Sequence, residues 1–291
     1  MKSNKRIETL AIIGAGLIGG SFALALKEAG RVERVLGVGR SLESLEQAKA
    51  LGVIDEVATL EQAAQEADLI LVAVPVGAFA NVFATLKPHL TDRVILTDAG
   101  STKGNVVKVA REFLQERVSQ FVPAHPMAGS HLCGPEAARA DLYVDRKLIL
   151  CPLPENAPET VRVVESMWRA CGARILEMPW EQHDEAVAAI SHLPHWLAAM
   201  YVYQITQAAD ADVKFEVAGT GFADFTRVAQ GSDEMWRDIF MVNRDAVCSQ
   251  LAEFETQLAQ AREALEREDF DWIVQMLRVS AKARQDWEKQ R

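Results

Sequence analysis

Short runs rich in β-branched residues alternate with helical stretches through the first two-thirds of the chain. Ile7–Ile13 reads as a strand and residues 20–29 as a helix; 34–38 gives a second strand and 42–51 a second helix. Further strand-like runs cover 69–74, 94–97, 121–123, 147–151 and 174–177, with helical segments between most of them. Strands separated by helices predict an α/β domain, a doubly wound parallel sheet with helices on both faces. Past Trp180 the period changes: 186–208, 213–218, 234–265 and 270–288 are helical, with no convincing strand. The chain is therefore expected to divide at Met178-Pro179 into an α/β domain, 1–179, and an all-helical domain, 180–291. Its long apolar helices exceed what so small a domain can bury, which points to a homodimer.

The length of 291 residues agrees with two domains. Lys and Arg number 31 against 41 Asp and Glu, a net charge of -10. Such a surface repels phosphate backbones and anionic lipid, so neither nucleic acid nor membrane is an expected partner. No apolar run approaches the roughly 18 residues that span a bilayer; the longest, 69–80, is broken by Pro75 and Gly77. Cys133, Cys151, Cys171 and Cys248 lie far apart with no C-x-x-C pair, which suits free thiols in a reducing cytoplasm.

The first strand runs straight into Gly14-Ala15-Gly16-Leu17-Ile18-Gly19, and a helix follows. A G-x-G-x-x-G match is weak alone, but at a strand-to-helix turn inside a βαβ unit it reads as a dinucleotide site. Gly14 permits the tight turn, Gly16 lets a pyrophosphate approach the backbone, and Gly19 lets helix and strand pack closely. The helix start at Leu17 and Ile18 supplies unpaired N–H groups for the anion. Where a carboxylate for the ribose of NAD is expected, the second strand ends in Gly39-Arg40-Ser41. A guanidinium and a hydroxyl with no repelling acid favour NADP; a solvated Arg40 would leave NAD as cofactor. Val74 and Pro75 end the next strand and are expected to line the same groove.

Two later strand ends carry candidate chemistry: Asp98-Ala99-Gly100-Ser101-Thr102-Lys103-Gly104 and Ala124-His125-Pro126-Met127-Ala128-Gly129-Ser130. Ligands of open α/β sheets sit outside the carboxyl ends of the strands, so Ser101 and His125 should face the crevice of the glycine loop. There, His125 can take an alcohol proton as hydride leaves for a nicotinamide. The helical part contributes Ser191-His192-Leu193-Pro194-His195, then Asp224-Phe225-Thr226-Arg227, then Trp236. His192 and His195 share a helix face; with no cysteine or carboxylate cluster beside them, no metal is expected. Arg227 can fork onto a substrate carboxylate with Asp224 orienting it. By residue type alone, an Asp224–Arg227 salt bridge with a core Trp236 is the better reading.

In order and spacing, the segments 14–21, 98–103, 125–130, 191–195 and 224–238 resemble the prephenate/arogenate dehydrogenase family of tyrosine biosynthesis. The His-Pro-Met-Ala-Gly-Ser, Ser-His-Leu-Pro-His and Asp-Phe-Thr-Arg segments carry most of that resemblance. It implies a Rossmann domain followed by a helical dimerisation domain, in a free-standing dehydrogenase. It also implies oxidative decarboxylation of prephenate or arogenate, with His125 polarising the 4-hydroxyl and Ser101 holding it. Arg227 would bind a carboxylate, His192 and His195 would line the pocket, and Trp236 would form its wall. Ser130 and His131 would lie near the substrate side chain. Many members carry Glu or Gln where this chain has His131, so substrate choice stays open, as does the alternative of a solvent-exposed His131. Other NADP-linked enzymes of similar architecture usually carry a Lys on the first helix of the second domain, where this chain offers His183, His192 and His195. A non-catalytic NADP(H) sensor would usually need an effector domain.

Overall fold

A computed structural model describes residues 6–129 and 132–289. Its order is β1 (Ile7–Ile13), α1 (Leu17–Glu28), β2 (Val32–Val38), α2 (Leu42–Ala50), β3 (Glu56–Val57), α3 (Leu60–Glu66), β4 (Leu69–Val72), α4 (Phe79–Leu86), β5 (Ile95–Asp98), α5 (Gly104–Leu114) and β6 (Phe121–Val122). The six strands form one parallel sheet in the order β3-β2-β1-β4-β5-β6, the doubly wound arrangement expected from the alternation.

The period-2 pattern of β1 and β4 explains why helices cover both faces. Leu10, Ile12, Leu69 and Leu71 point to one side, against Phe22 and Leu26 of α1. Ala11, Ile13, Ile70 and Val72 point to the other, against Ala63 and Ala64 of α3, Phe79 and Phe83 of α4, and Val106, Val107 and Ala110 of α5. A strand buried on both faces reads as a continuous apolar run, as 69–72 does.

The expected single sheet is corrected past Val122. The strand expected over 121–123 stops at Val122, because Pro123 has no N–H to give a ladder. After it the chain leaves the first sheet and starts β7 (Ala124–Pro126), which pairs antiparallel with β8 (Lys147–Leu150); β9 (Arg174–Glu177) pairs parallel with β8. Between β8 and β9, α6 (Pro158–Ala170) lays Trp168 on the first face, 4.4 Å from Phe22 and 5.1 Å from Tyr143 by ring centroids. The switch of sheets at Pro123 aims His125 away from the first ladder.

The helical part runs α7 (Trp180–Val187), a π-helical turn (Ala188–His192), α8 (Leu193–Thr206), α9 (Ala211–Glu216), α10 (Thr220–Thr226) and α11 (Asp233–Val242). The π turn ends just before Pro194, whose missing N–H cannot close an α-helical bond to residue 190. The helix expected over 234–265 is broken at Asn243, and α12 (Arg244–Glu266) follows. Packing places one compact unit up to Arg244 and a second, holding most of α12 with α13 (Phe270–Lys289), from Asp245. That division lies beyond Met178-Pro179 because the helices to Val242 pack against the sheet domain, as the contacts of Asp184 described below show. Among the described residues no helix is long and apolar enough to cross a membrane.

Candidate active site

The turn after β1 is built as its glycines require. Gly14 has φ +100°, and a Cβ there would lie 2.4 Å from Ala73 O. A Cβ on Gly19 would lie 2.2 Å from Gly14 O and 2.5 Å from Ile12 Cγ2, so helix and strand touch at that point. A Cβ on Gly16 would meet nothing within 4 Å. α1 begins at Leu17 with Gly16 as its cap and no side chain closing it. The first-turn N–H groups of Leu17, Ile18 and Gly19 therefore lack carbonyl partners within the helix. The side chains of Leu17 and Ile18 pack on the first core.

A groove of about 680 Å³ runs from this turn. Gly14, Gly16, Gly39, Arg40, Ser41, Val74 and Pro75 all line it. Ser41 caps α2, its Oγ accepting from Ser44 N at 3.2 Å. Arg40 is exposed and makes no ion pair among the described residues. The open cradle at Gly16, free helix donors and a groove of this size fit a dinucleotide. Glu234 and Asp238 of α11, within the segment 224–238, reach the same groove from the helical part.

Beyond β5 the chain turns through Gly100 and Ser101 into α5. Asp98 and Lys103 form an ion pair with both side chains fully buried. Lys103 Nζ also donates to Ala124 O at 2.8 Å, while Asp98 accepts from Ala124 N at 2.9 Å and from Gly100 N at 2.8 Å. Both backbone groups of Ala124 are thus gripped by one buried pair, and the next residue is His125. Ser101 is partly buried in the same turn. A Cβ on Gly100 would lie 3.3 Å from Val76 Cγ1, so this turn abuts the groove at its 74–78 edge.

His125 is held from the helical part. Its Nδ1 lies 2.8 Å from Nε2 of His183, whose Nδ1 lies 2.8 Å from Asp184 Oδ1. Asp184 in turn accepts from Lys103 N at 2.8 Å and Gly104 N at 2.7 Å, capping α5 across the two parts of the fold. His192, buried after the π turn, has Nδ1 3.1 Å from Asn243 Nδ2, which also donates to Asp184 O at 2.9 Å. His195 lies flat on Trp236, ring centroids 3.7 Å apart, and Trp236 stands 6.1 Å from the His192 ring.

Burial keeps these imidazoles neutral. It pushes His125 well below its ordinary value, helped by the neighbouring His183, Lys103 and His192. Burial likewise lowers His183, against the pull of Asp184, and takes His192 down to about 4. His195 is lowered by burial and by the nearby charge of Arg227. Burial raises the Asp184 carboxyl, but hydrogen bonds from His183, Lys103 N and Gly104 N outweigh it and hold it below the usual carboxylate value.

Of the residues singled out from the sequence, His125 and Ser101 flank the Asp98–Lys103 clamp, and His192, His195 and Trp236 cluster, with Arg227 acting on His195. Asp224 is exposed, and among the described residues no bond joins it to Arg227; the expected orienting pair is absent there because the helix ends at Thr226 and Arg227 begins a tighter turn. Ser130 and His131 lie outside the described residues. Among those residues no group of His, Cys, Asp or Glu is placed to hold a metal. Asp98, Lys103, Asp184 and Asn243 did not stand out from the sequence; the adjacent His183-Asp184 pair in the first turns past the last strand was the available signal.

Comparison with known proteins agrees with this architecture. The family model for the nucleotide-binding domain of prephenate dehydrogenase matches residues 22–177, and that for its dimerisation domain matches 179–279. The prephenate dehydrogenase of Bacillus subtilis is 34% identical over 281 residues, covering 95% of this chain and 75% of its own length. The cyclohexadienyl dehydrogenase of Zymomonas mobilis is 34% identical over 279 residues, covering 94% of each. The crystal structure of Aquifex aeolicus prephenate dehydrogenase, in complex with hydroxyphenyl propionate and NAD+, superposes with a TM-score of 0.90 at 31% identity, covering 96% of this chain and 98% of that one. Sequence and fold agree: the chain belongs to the prephenate dehydrogenase family.

Proposed function

We propose that this chain oxidises prephenate, arogenate or both with loss of the ring carboxylate, giving 4-hydroxyphenylpyruvate or tyrosine, and that NADP is its cofactor. The observation that carries this reading is that residues from both parts of the fold line or abut one groove. On one side Gly100 abuts the groove wall and the buried Asp98–Lys103 pair holds the strand bearing His125. On the other, Glu234 and Asp238 line the groove while Trp236, on the same helix, stacks on His195.

In this reading His125 Nε2 takes the proton of the substrate 4-hydroxyl and Ser101 holds that oxygen. A nicotinamide bound in the groove supplies the acceptor for the hydride from the same carbon. As the ring becomes a dienone, the electrons of the bond to the carboxylate pass into it, carbon dioxide leaves, and the ring gains aromaticity. Arg227, exposed beside His195, binds a substrate carboxylate through its fork. His192 and His195 line the pocket, and Trp236 forms its wall. The catalytic demand is positioning more than chemical activation.

NADP is supported by the end of β2, where Gly39, Arg40 and Ser41 line the groove and none of the three is a carboxylate. A 2′-phosphate there would meet a guanidinium that makes no ion pair among the described residues and the capped start of α2. Exposed Met200, Tyr201 and Tyr203 on α8, and Phe270, Leu277 and Val279 on α13, support a homodimer. Four free thiols support a cytoplasmic location. The test is a two-by-two assay, both substrates with both cofactors, followed by reduced-nicotinamide fluorescence. Turnover of prephenate or arogenate is expected, faster with NADP; none with either substrate would reject the reading.

A further inference from the structure

We infer that Asp184, acting through His183, fixes the tautomer of His125, with the proton on Nδ1 and the lone pair on Nε2. The inference rests on the reading of His125 as the base, and it gives positioning roles to two residues that touch no substrate.

Donors and acceptors along one line, from Asp184 through His183 to His125, fix the protons in turn. Both Asp184 oxygens already accept backbone N–H groups, from Lys103 at 2.8 Å and Gly104 at 2.7 Å, at the start of α5. An ionised carboxylate only accepts, so the 2.8 Å contact with His183 makes Nδ1 of His183 the donor. A neutral imidazole with its proton on Nδ1 has a bare Nε2. The 2.8 Å contact from that Nε2 to His125 then makes Nδ1 of His125 a donor as well. One nitrogen of His125 remains, Nε2, and it is the basic one.

The opposite polarity is a poor fit. It would need Nε2–H on His183 and a bare Nδ1 facing an ionised carboxylate, a repulsion of two acceptors in a buried place. A doubly protonated His183 would also put its Nε2 proton on the wrong side, toward His125. The charged and titratable groups around this line are Lys103 and Asp98 from the β5–α5 turn, Asp184 on α7 and His192 from the π turn. Of these, Lys103 and His192 oppose a cationic His183 or His125, as burial does.

The arrangement also serves the imidazolium formed when His125 takes the substrate proton. Its Nδ1–H then points at a neutral acceptor, itself polarised by a carboxylate. The proton can rest between the two rings without a charge facing bare apolar wall. The logic is that of a carboxylate holding an imidazole in place, with a second imidazole inserted between them.

The experiment has two arms. In the resting enzyme with ring-15N histidine, His125 should show a pyrrole-type Nδ1 and a pyridine-type Nε2 at neutral pH. A protonated Nε2 would overturn the inference, whatever the enzyme turns over. In the second arm, Asp184→Asn offers His183 an amide that can donate, reversing the polarity. Its kcat should fall on the order of 10²–10⁴-fold with KM within a few-fold, and the two 15N signals of His125 should exchange character. His183→Gln, whose Oε1 can still accept from His125 Nδ1, should retain at least tenfold more kcat than His183→Phe. Equal losses in those two, or an Asp184→Asn protein with unaltered kcat and signals, would overturn it. If the parent enzyme turns over neither substrate, the proposed function fails, while the first arm still decides the tautomer.

Discussion

Lys103 and Asp98 face each other with side chains wholly out of solvent, and between them they hold both backbone groups of Ala124. Two charges are removed from water here, and the desolvation is offset because Asp98 also accepts from Ala124 N and Gly100 N while Lys103 also donates to Ala124 O. Removing one partner is far costlier than never having had the pair, because it leaves a buried charge alone. Lys103→Met should destabilise the protein by about 3–5 kcal/mol, measured as a fall in the urea midpoint at pH 7. Replacing both, as Lys103→Met with Asp98→Leu, should recover part of that loss. A change below about 1 kcal/mol in the single variant would mean that the pair is more hydrated than its burial indicates.

The strand held by that pair delivers His125, and the expected cost of losing its base is kinetic. Asn keeps a polar group of similar reach but has no basic nitrogen. His125→Asn should lower kcat by about 10²–10⁴-fold with little change in KM and with cofactor still bound. Cofactor affinity followed by fluorescence quenching serves as the control. Turnover within a few-fold of the parent would remove His125 from the role of base.

These two residues also show how far the sequence could be read. The glycine turn was legible because each glycine answers a local steric demand: φ at Gly14, contact at Gly19, open space at Gly16. His125 was legible because it follows a strand end at a crevice. Lys103 was not, since a lysine five residues past an aspartate reads as a solvated pair, and only the fold puts both under the sheet edge. Asp184 was invisible for a similar reason. Its partners at Lys103 and Gly104 lie some eighty positions upstream, and capping between distant elements leaves no local period to detect. The strand end near Pro123 was signalled by the proline itself, whereas β7 beyond it was not, because its partner β8 lies more than twenty positions downstream. The break at Asn243 is explained afterwards by what its side chain does, bridging Asp184 and His192.

The buried histidines make stability depend on pH in a definite direction. Burial lowers His192 from 6.5 to about 4, and His125, His183 and His195 move the same way. Above pH 6.5 these rings are neutral whether the chain is folded or not, and they contribute no pH dependence. Below it the unfolded chain binds protons that the folded one refuses, so stability is lost as pH falls from 6.5 toward 4. His192 alone would account for about 3 kcal/mol across that window. Urea unfolding at pH 7.5, 6 and 5 should show the decline, and His192→Asn should make it shallower whatever its stability at pH 7.5. An equally steep decline in that variant would mean that His192 titrates normally in the folded state.

Arg40 sets the last expectation, because it separates cofactor choice from everything else at the site. It lines the far end of the groove beside Ser41 and Ser44, away from the Asp98–Lys103 clamp, and it makes no ion pair among the described residues. Its removal should therefore leave the fold and the reacting centre alone. A guanidinium against a phosphate in a partly exposed place forms a charge-assisted, forked pair, and hydrogen bonds to charged groups contribute about 1.5–3 kcal/mol. Arg40→Ala should accordingly raise KM for NADP by roughly 10- to 100-fold while changing KM for NAD by less than about threefold. kcat at saturating cofactor should hold steady, since the lost interaction is the same in the ground and transition states. Arg40→Asp should go further, repelling the 2′-phosphate and offering the ribose hydroxyls of NAD an acceptor. Steady-state kinetics with both cofactors at fixed substrate distinguishes the outcomes. A parent enzyme already faster with NAD, or an Arg40→Ala protein with unchanged preference, would show that Arg40 is a solvated surface residue and that the groove selects its cofactor elsewhere.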